Sequence, residues 1–422
     1  MLDIKFIREN QSIIAEASRK KRLDFKVEEL ISIDDRRLAI LIEVESLRAK
    51  QNETSAKITS VDAAAREALI AEMKIVKDSL QAKEEELKEI IKDWQKLMVQ
   101  VPNIPDMSVP EGDDDASNAE LKTWGEKTVF AFSARDHVEL MSALEMAEFE
   151  RGAKVAGFRG YFLKNEGVQL SFALWQLALD MLRAEGFAPV ISPSLVRREA
   201  LLGTGYLPQG EEDLYKTQDT DYLAGTAEVG LMAMHMDEVI DQAKLPLQYA
   251  GFSPCFRREA GSHGKDTKGL IRVHEFFKIE QLVLCEANHE QSVEWHEKLL
   301  AVAEKYMQAL NIPYRVVVNC GGDLGLGQVK KYDIEAWVPG EQKYRETHSI
   351  SYFHDFQTRR LNLKYRDPEG KLRFVHSLNG TMSATPRLLV SLVENYQQAD
   401  GSIKVPEVLQ PYVGKALIGP HK

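Results

Sequence analysis

The chain has 422 residues, too many for one compact domain at about 150 residues each. Its 44% hydrophobic and 28% charged residues leave material for packed cores and exclude a disordered or fibrous chain. A net charge of −11, from 54 basic and 65 acidic side chains, argues against a general nucleic-acid coat or a polybasic membrane binder, though not against a local basic surface.

The first twenty residues carry Asp3, Lys5, Arg8 and Glu9 among the apolar positions, unlike a signal peptide. The apolar runs are short and interrupted, as at Leu170 to Leu182, so no membrane span is predicted. Cys255, Cys285 and Cys320 form no CxxC pair, which disfavours a disulfide framework and a thiolate zinc site. A soluble, cytoplasmic protein of a reducing compartment is the expectation.

From about residue 33 to 101 the apolar positions recur every three and four residues. Ile33, Ile40, Val44, Leu47 and Ile58 form one stripe. Leu69, Met73, Val76, Leu80, Leu87, Ile90, Trp94, Leu97 and Val101 form another, interrupted by Lys83. Two stretches with this repeat and no Pro or Gly predict two supercoiled helices. The short break at 60–66 folds the later helix back antiparallel on the earlier one. At 1.5 Å per residue, some 28 residues reach on the order of 40 Å. Residues 33–98 hold 12 basic and 14 acidic side chains, so charge alone names no partner for this hairpin, and a spacer or dimerisation element is its plain reading. The basic cluster Arg19-Lys20-Lys21-Arg22 just before it is suggestive of a polyanion and no more.

Three prolines in Val101-Pro-Asn-Ile-Pro-Asp-Met-Ser-Val-Pro110 end the hairpin, and the acidic Glu111-Gly-Asp-Asp-Asp115 follows. The predicted organisation is a helical arm at 1–105, an acidic linker at 106–130 and a mixed domain at 131–422. In the last, a helix is predicted over 169–185 and strands at 277–285, 315–319 and 332–338.

No GxxxxGK[ST] phosphate loop, GxGxxG fingerprint or HExxH motif is present. Chemistry instead concentrates in four segments. Cys255-Phe-Arg257-Arg258-Glu259, a polar loop from Ala260 to Gly269, and Leu270-Ile-Arg272-Val-His274-Glu-Phe276-Phe-Lys278-Ile-Glu280 read as an antiparallel hairpin. Period-2 alternation puts Arg257 and Glu259 on one face, and Phe276, Lys278 and Glu280 on one face of the return strand, with Phe277 and Ile279 toward the core. Guanidinium, ammonium, ring and carboxylate together suit an anionic, planar ligand, although a surface hairpin with ion pairs is the plainer alternative. In the next segment Val375, Ser377, Asn379 and Thr381 alternate onto one face, and Pro386 starts a helix with Arg387 in its first turn beside free amide donors. A third, Arg345-Glu346-Thr-His-Ser349, offers a carboxylate and a hydroxyl for Mg²⁺. The fourth, Gly225-Thr226-Ala227-Glu228, means little alone.

Taken together, and in the right order along nearly the whole chain, these segments resemble the class II aminoacyl-tRNA synthetases, specifically the seryl-tRNA synthetase family. Gly186-Phe-Ala-Pro-Val-Ile-Ser-Pro193-Ser-Leu-Val196 resembles motif 1, with its proline at a dimer interface. Phe256 to Glu259 with Val273 to Phe276 resembles motif 2, and the run ending in Arg387 and its helix resembles motif 3. Thr226-Ala-Glu228, the arm, Val101-Pro-Asn-Ile-Pro105 and Asp355-Phe-Gln-Thr-Arg-Arg360 are also similar to that family. Two stretches, 347–354 and 380–386, depart from the commonest bacterial pattern, and residues 380–386 are closer to the eukaryotic cytosolic form.

The resemblance implies an α+β fold: an N-terminal antiparallel helical hairpin (coiled-coil arm) and a catalytic domain with a mainly antiparallel sheet flanked by helices. It implies formation of seryl-adenylate from L-serine and ATP with Mg²⁺, then transfer to tRNA(Ser), with tRNA(Sec) an open further acceptor, by a homodimer. Arg257, Glu280 and Arg387 would be catalytic. ATP would meet Arg257, Arg258, Glu259, Arg272, Val273, Phe276, Glu346, Thr347, His348, Ser349 and Arg387. Serine would meet Thr226, Ala227, Glu228, Arg257, Glu280, Asn379 and Thr381, and Mg²⁺ would meet Glu346 and Ser349. Rival readings are an amino-acid ligase for a carrier protein, disfavoured by the intact arm, and a non-catalytic RNA-binding relative, disfavoured by the retained arginines and carboxylates.

Overall fold

A computed structural model describes residues 2–262, 264 and 266–420, the side chains of Ala63 and Ala64 apart. His263 and Lys265, in the loop of the sequence-predicted hairpin, lie outside the described residues. The chain divides into two compact units, one of residues 2–19 and 23–102, the other of 20–22 and 103–422.

The N-terminal unit is helical: α1 (Ile4–Glu9), α2 (Gln11–Lys20), α3 (Val27–Ile58) and α4 (Ala63–Met98). Asp62 opens α4 as its N-cap, its side chain accepting from Ala65 N at 2.9 Å. Helices α3 and α4 are 32 and 36 residues long, or ~48 and ~54 Å at 1.5 Å per residue. They pair antiparallel: Arg37 lies 5.0 Å over the Trp94 ring near one end, and Lys50 meets Glu72 at 2.9 Å near the other. The seam is the anticipated stripe, with Ile40, Val44, Leu80 and Ile90 buried and Ile33, Leu47 and Leu87 against them. The apparent break at Lys83 is a cross-helix contact, 2.8 Å to Glu43. Helix α3 starts six residues before the predicted 33, because Val27 and Leu30 continue the buried face.

The C-terminal unit is built on an eight-stranded sheet. Its strands are β1 (Ala119–Trp124), β2 (Ala188–Ile191), β3 (Leu247–Phe256), β4 (Glu275–Cys285), β5 (Tyr314–Val318), β6 (Lys330–Val338), β7 (Lys343–His354) and β8 (His376–Thr385). Their order across the sheet is β1-β5-β6-β7-β8-β4-β3-β2. Only β2 on β3 is parallel; every other pairing in this sheet is antiparallel. Helices α5 (Asn165–Ala184), α6 (Arg198–Thr204), α7 (Ala227–Ala233), α8 (His289–Ala309), α9 (Phe356–Arg360) and α10 (Arg387–Asn395) flank it.

The main core joins Leu170, Leu174, Ala178 and Leu182 of α5 and Leu299, Ala303 and Tyr306 of α8 to the inward side chains of the central strands. Central strand β4 is buried on both faces from Lys278 on, which is why Ile279-Glu-Gln-Leu-Val-Leu-Cys285 reads as a nearly continuous apolar run. Residues 119–124, in the acidic stretch between arm and core, form the edge strand β1 on β5. Of the basic cluster at 19–22, Lys21 is buried, its amine donating to the carbonyls of Gly325, Leu326 and Gln328 at 3.0, 2.8 and 2.6 Å. Arg22 pairs with Asp113 at 2.6 Å.

Candidate active site

The β3–β4 hairpin, β7, the end of β8 and the start of α10 line a cleft open to solvent. On β4 the alternation holds: Phe276 and Lys278 line the cleft, while Ile279 enters the core and Phe277 packs against Trp175 and Phe252. Opposite them, Arg257 follows the last residue of β3. Its N–H donates to His274 O at 2.9 Å, its guanidinium lies 5.1 Å over the Phe276 ring, and Nη2 reaches Gly225 O at 3.4 Å.

Glu259 does not share a strand face with Arg257, as alternation predicted. The strand stops at Phe256 and Glu259 has a left-handed φ of 55°. It still lines the cleft, where Arg272 Nη1 donates to its carboxylate at 2.5 Å. Val273 lines the same wall.

Arg387 is the first residue of α10, whose far end is anchored by Glu394 accepting from the backbone N–H groups of His137 and Gly340. Its Nε donates to Ile271 O at 3.1 Å and Nη1 to Glu346 O at 2.8 Å. The Glu346 carboxylate is 3.6 Å away. The Glu346 side chain keeps half its surface exposed, and although partial desolvation opposes its ionisation, Arg387, Lys331 and Arg257 outweigh it and hold the carboxyl below its usual range. Glu346, Thr347 and Ser349 of β7 all line the cleft. Carboxylate and hydroxyl are the hard oxygen donors Mg²⁺ takes, and Mg²⁺ completes its shell with phosphates and water, so two protein donors beside an anion cleft fit it.

Beside the arginines sits an acidic recess. Thr226 caps α7, accepting from Glu228 N at 3.3 Å and donating to Glu280 Oε2 at 2.9 Å. Glu280 also pairs with Lys278. Glu228 is buried and accepts from Gln357 Nε2 at 2.5 Å and the Tyr206 hydroxyl at 2.9 Å. Burial, reinforced by the charge of Glu280, pushes its carboxyl up to about 7. Thr381 is the cross-strand partner of Glu280 and lines the cleft, with Asn379 buried two residues back on the same strand. Ala227 is buried beside Thr226.

Of the predicted ATP-binding positions, two are not brought to the cleft wall. Arg258 is exposed, its N–H donating to Asp213 O at 2.9 Å. His348 is fully buried, its Nε2 3.0 Å from Met382 O. A carbonyl only accepts, so that nitrogen carries the proton, and burial lowers the imidazole to about 4. Sequence patterns gave no role to Tyr206 or to Gln357, although Gln357 lies in the family-like segment Asp355 to Arg360. Both reach Glu228 through the fold, from 22 and 129 residues away, and neither belongs to a periodic pattern.

An antiparallel sheet whose hairpin arginine, metal-type carboxylate and helix-starting arginine meet at one cleft defines the catalytic core of a class II aminoacyl-tRNA synthetase. Comparison with known proteins agrees: residues 214–396 match the tRNA synthetase class II core domain (G, H, P, S and T), and residues 1–105 match the seryl-tRNA synthetase N-terminal domain. A serine–tRNA ligase of Deinococcus radiodurans is 46% identical over 98% of both chains. The crystal structure of seryl-tRNA synthetase from Pyrococcus horikoshii complexed with ATP superposes with a TM-score of 0.92 at 40% identity over 100% of both chains. The cytoplasmic serine–tRNA ligase from Naegleria fowleri in complex with AMP gives 0.87 at 34%, covering 100% of this chain and 99% of that one. The chain belongs to the seryl-tRNA synthetase family. Its activity is serine–tRNA ligation: ATP-dependent activation of L-serine to seryl-adenylate and transfer of the seryl group to tRNA(Ser).

Proposed function

We propose that the cleft and recess divide the first step between them. The serine carboxylate attacks the α-phosphorus of ATP in line, pyrophosphate leaves, and no covalent enzyme nucleophile is required. Positioning and charge neutralisation supply the rate. Arg257 bridges the serine carboxylate and the α-phosphate, and Arg387 holds the γ-phosphate. Phe276 stacks on adenine while Glu259, Arg272 and Val273 hold the adenosine, with Thr347 beside them. Arg258 and His348 act from outside the cleft wall, His348 by packing behind Thr347. Thr226, Glu228, Glu280 and Thr381 surround the serine ammonium and hydroxyl, with Ala227 and Asn379 completing the recess. Glu346 and Ser349 would hold Mg²⁺, which when bound offsets phosphate charge.

One observation carries this reading: Arg257, Glu346 and Arg387 line one cleft, and Arg257 also reaches the Gly225 carbonyl, next in the chain to Thr226, which bonds Glu280. A buried acceptor left unpaired also rejects alanine far better than an apolar pocket could. ATP–pyrophosphate exchange with each amino acid in turn tests it. Exchange with serine alone is expected; exchange with another amino acid and none with serine overturns it.

The arm at 1–105 is proposed as the tRNA reader, with tRNA(Sec) as a further acceptor for serine, and the cytoplasm as the place of action. No described helix is long and apolar enough to cross a membrane. A homodimer through the motif 1 segment is supported by Ile191 of edge strand β2, 81% exposed, with Leu195 and Phe172 also exposed at 54% and 63%. An open strand edge carrying apolar side chains invites pairing.

A further inference from the structure

Glu228 already has a partner on each oxygen. Gln357 Nε2 donates to Oε1 at 2.5 Å and the Tyr206 hydroxyl donates to Oε2 at 2.9 Å. Gln357 is buried in α9, and its amide is itself pinned. Nε2 also reaches Thr204 O at 3.2 Å, and Oε1 accepts from the Ser377 hydroxyl at 2.7 Å. A flipped amide would set its oxygen against two acceptors, Glu228 and the Thr204 carbonyl, so the side chain can only donate toward Glu228. Each carboxylate oxygen keeps one further lone pair free.

The other charges around Glu228 are Glu280 and Lys278 on β4 and Arg257 beyond Tyr206. Burial and Glu280 both drive Glu228 toward the protonated form, while the donors Gln357 and Tyr206 act against them. A protonated Glu228 would present a hydroxyl where the recess needs an acceptor.

We propose that Gln357 is a positioning residue for amino-acid selection: its locked amide, held by Ser377, fixes Glu228 as an acceptor-only carboxylate whose free lone pairs receive the serine. This rests on the assignment of Glu228 to serine. Serine then binds the ionised recess, so its KM rises as pH falls through the Glu228 titration. Removing the Gln357 donor raises that titration further and moves the limb to higher pH.

The test is serine-dependent ATP–pyrophosphate exchange by the full-length enzyme across pH 6–9, for wild type, Gln357→Glu, Gln357→Met, Ser377→Ala and Glu228→Gln. Gln357→Glu sets a third carboxyl in the recess. It should shift the acid limb of the serine KM up by about one pH unit, which at pH 7, where Glu228 is already near its midpoint, raises that KM roughly fivefold, and roughly tenfold below the limb. Gln357→Met should follow in the same direction, and Ser377→Ala, the mildest change, by less. The ATP KM should stay within about twofold, since no ATP contact is touched.

A serine KM raised equally at every pH, or a limb that does not move, makes Gln357 a packing residue and overturns the proposal. Should both Gln357 variants fail to fold, Ser377→Ala decides by the same limb. Glu228→Gln separates the two levels. If it leaves the serine KM unchanged, the assignment of Glu228 fails; if it weakens serine while the Gln357 and Ser377 limbs stay in place, only the role of Gln357 fails.

Discussion

Replacing Arg257 by alanine separates the proposed chemistry from the fold. The guanidinium makes one long hydrogen bond, 3.4 Å to Gly225 O, and one ring contact, 5.1 Å to Phe276. Its loss should therefore cost the fold only about 0.5–1 kcal/mol for the cation–π contact, and a thermal midpoint close to wild type is expected. The chemical cost is larger. Arg257 is assigned to both reacting groups, and removing one preorganised donor to developing charge lowers kcat by roughly 10²–10³. With the serine carboxylate also unheld, exchange should fall by at least that factor. The assay is serine-dependent exchange of labelled pyrophosphate into ATP, with circular dichroism confirming the fold. Exchange within a few-fold of wild type in a folded variant would refute the assignment.

Glu346→Gln should raise the Mg²⁺ concentration needed for half-maximal exchange by roughly tenfold or more, since even groups outside the ligand set cost that much; an unchanged Mg²⁺ titration removes Glu346 from the metal site. Deleting 36–97 and closing the gap with a short Gly-Ser link should leave adenylate formation largely intact and abolish tRNA charging; equal loss of both in a folded protein means the arm is not the tRNA reader. Ile191→Asp places a charge on the exposed edge of β2, so light scattering should read a mass near 47.7 kDa for the variant and twice that for wild type; a wild type already monomeric sinks the homodimer.

How much of this was legible in the sequence follows from how far each contact reaches along the chain. The arm was, because its seam repeats over uninterrupted helix and needs only its own neighbours. So was the cleft wall on β4, where Phe276 and Lys278 face one way and Phe277 and Ile279 the other. Glu259 escaped the pattern because the strand stops at Phe256 and Glu259 is itself left-handed, while the chain keeps its side chain at the cleft. Strand β1 escaped it because an edge strand with nearly every residue exposed has no apolar face to display. Tyr206 and Gln357 could not be found at all from spacing. They matter only because α9 and the segment after α6 are folded against the start of α7.

The net charge of −11 is the whole-chain quantity that misleads most. Residues 101–150 hold 12 acidic and 3 basic side chains, which leaves the rest of the chain near neutral. The cleft itself is lined by four basic side chains, Arg257, Arg272, Lys278 and Arg387, against Glu259 and Glu346. Adjoining it, the recess holds Glu228 and Glu280, and the two regions meet where Arg257 touches Gly225, one residue before Thr226. A zwitterion entering such a site has one favourable orientation, ammonium toward the paired carboxylates and carboxylate toward Arg257. That orientation points the carboxylate at the half of the site proposed to bind phosphate, where adenylation requires it. Under the proposed assignment, the local separation of charge aims the amino acid while the hydroxyl acceptor selects serine, and no count over 422 residues could have displayed that.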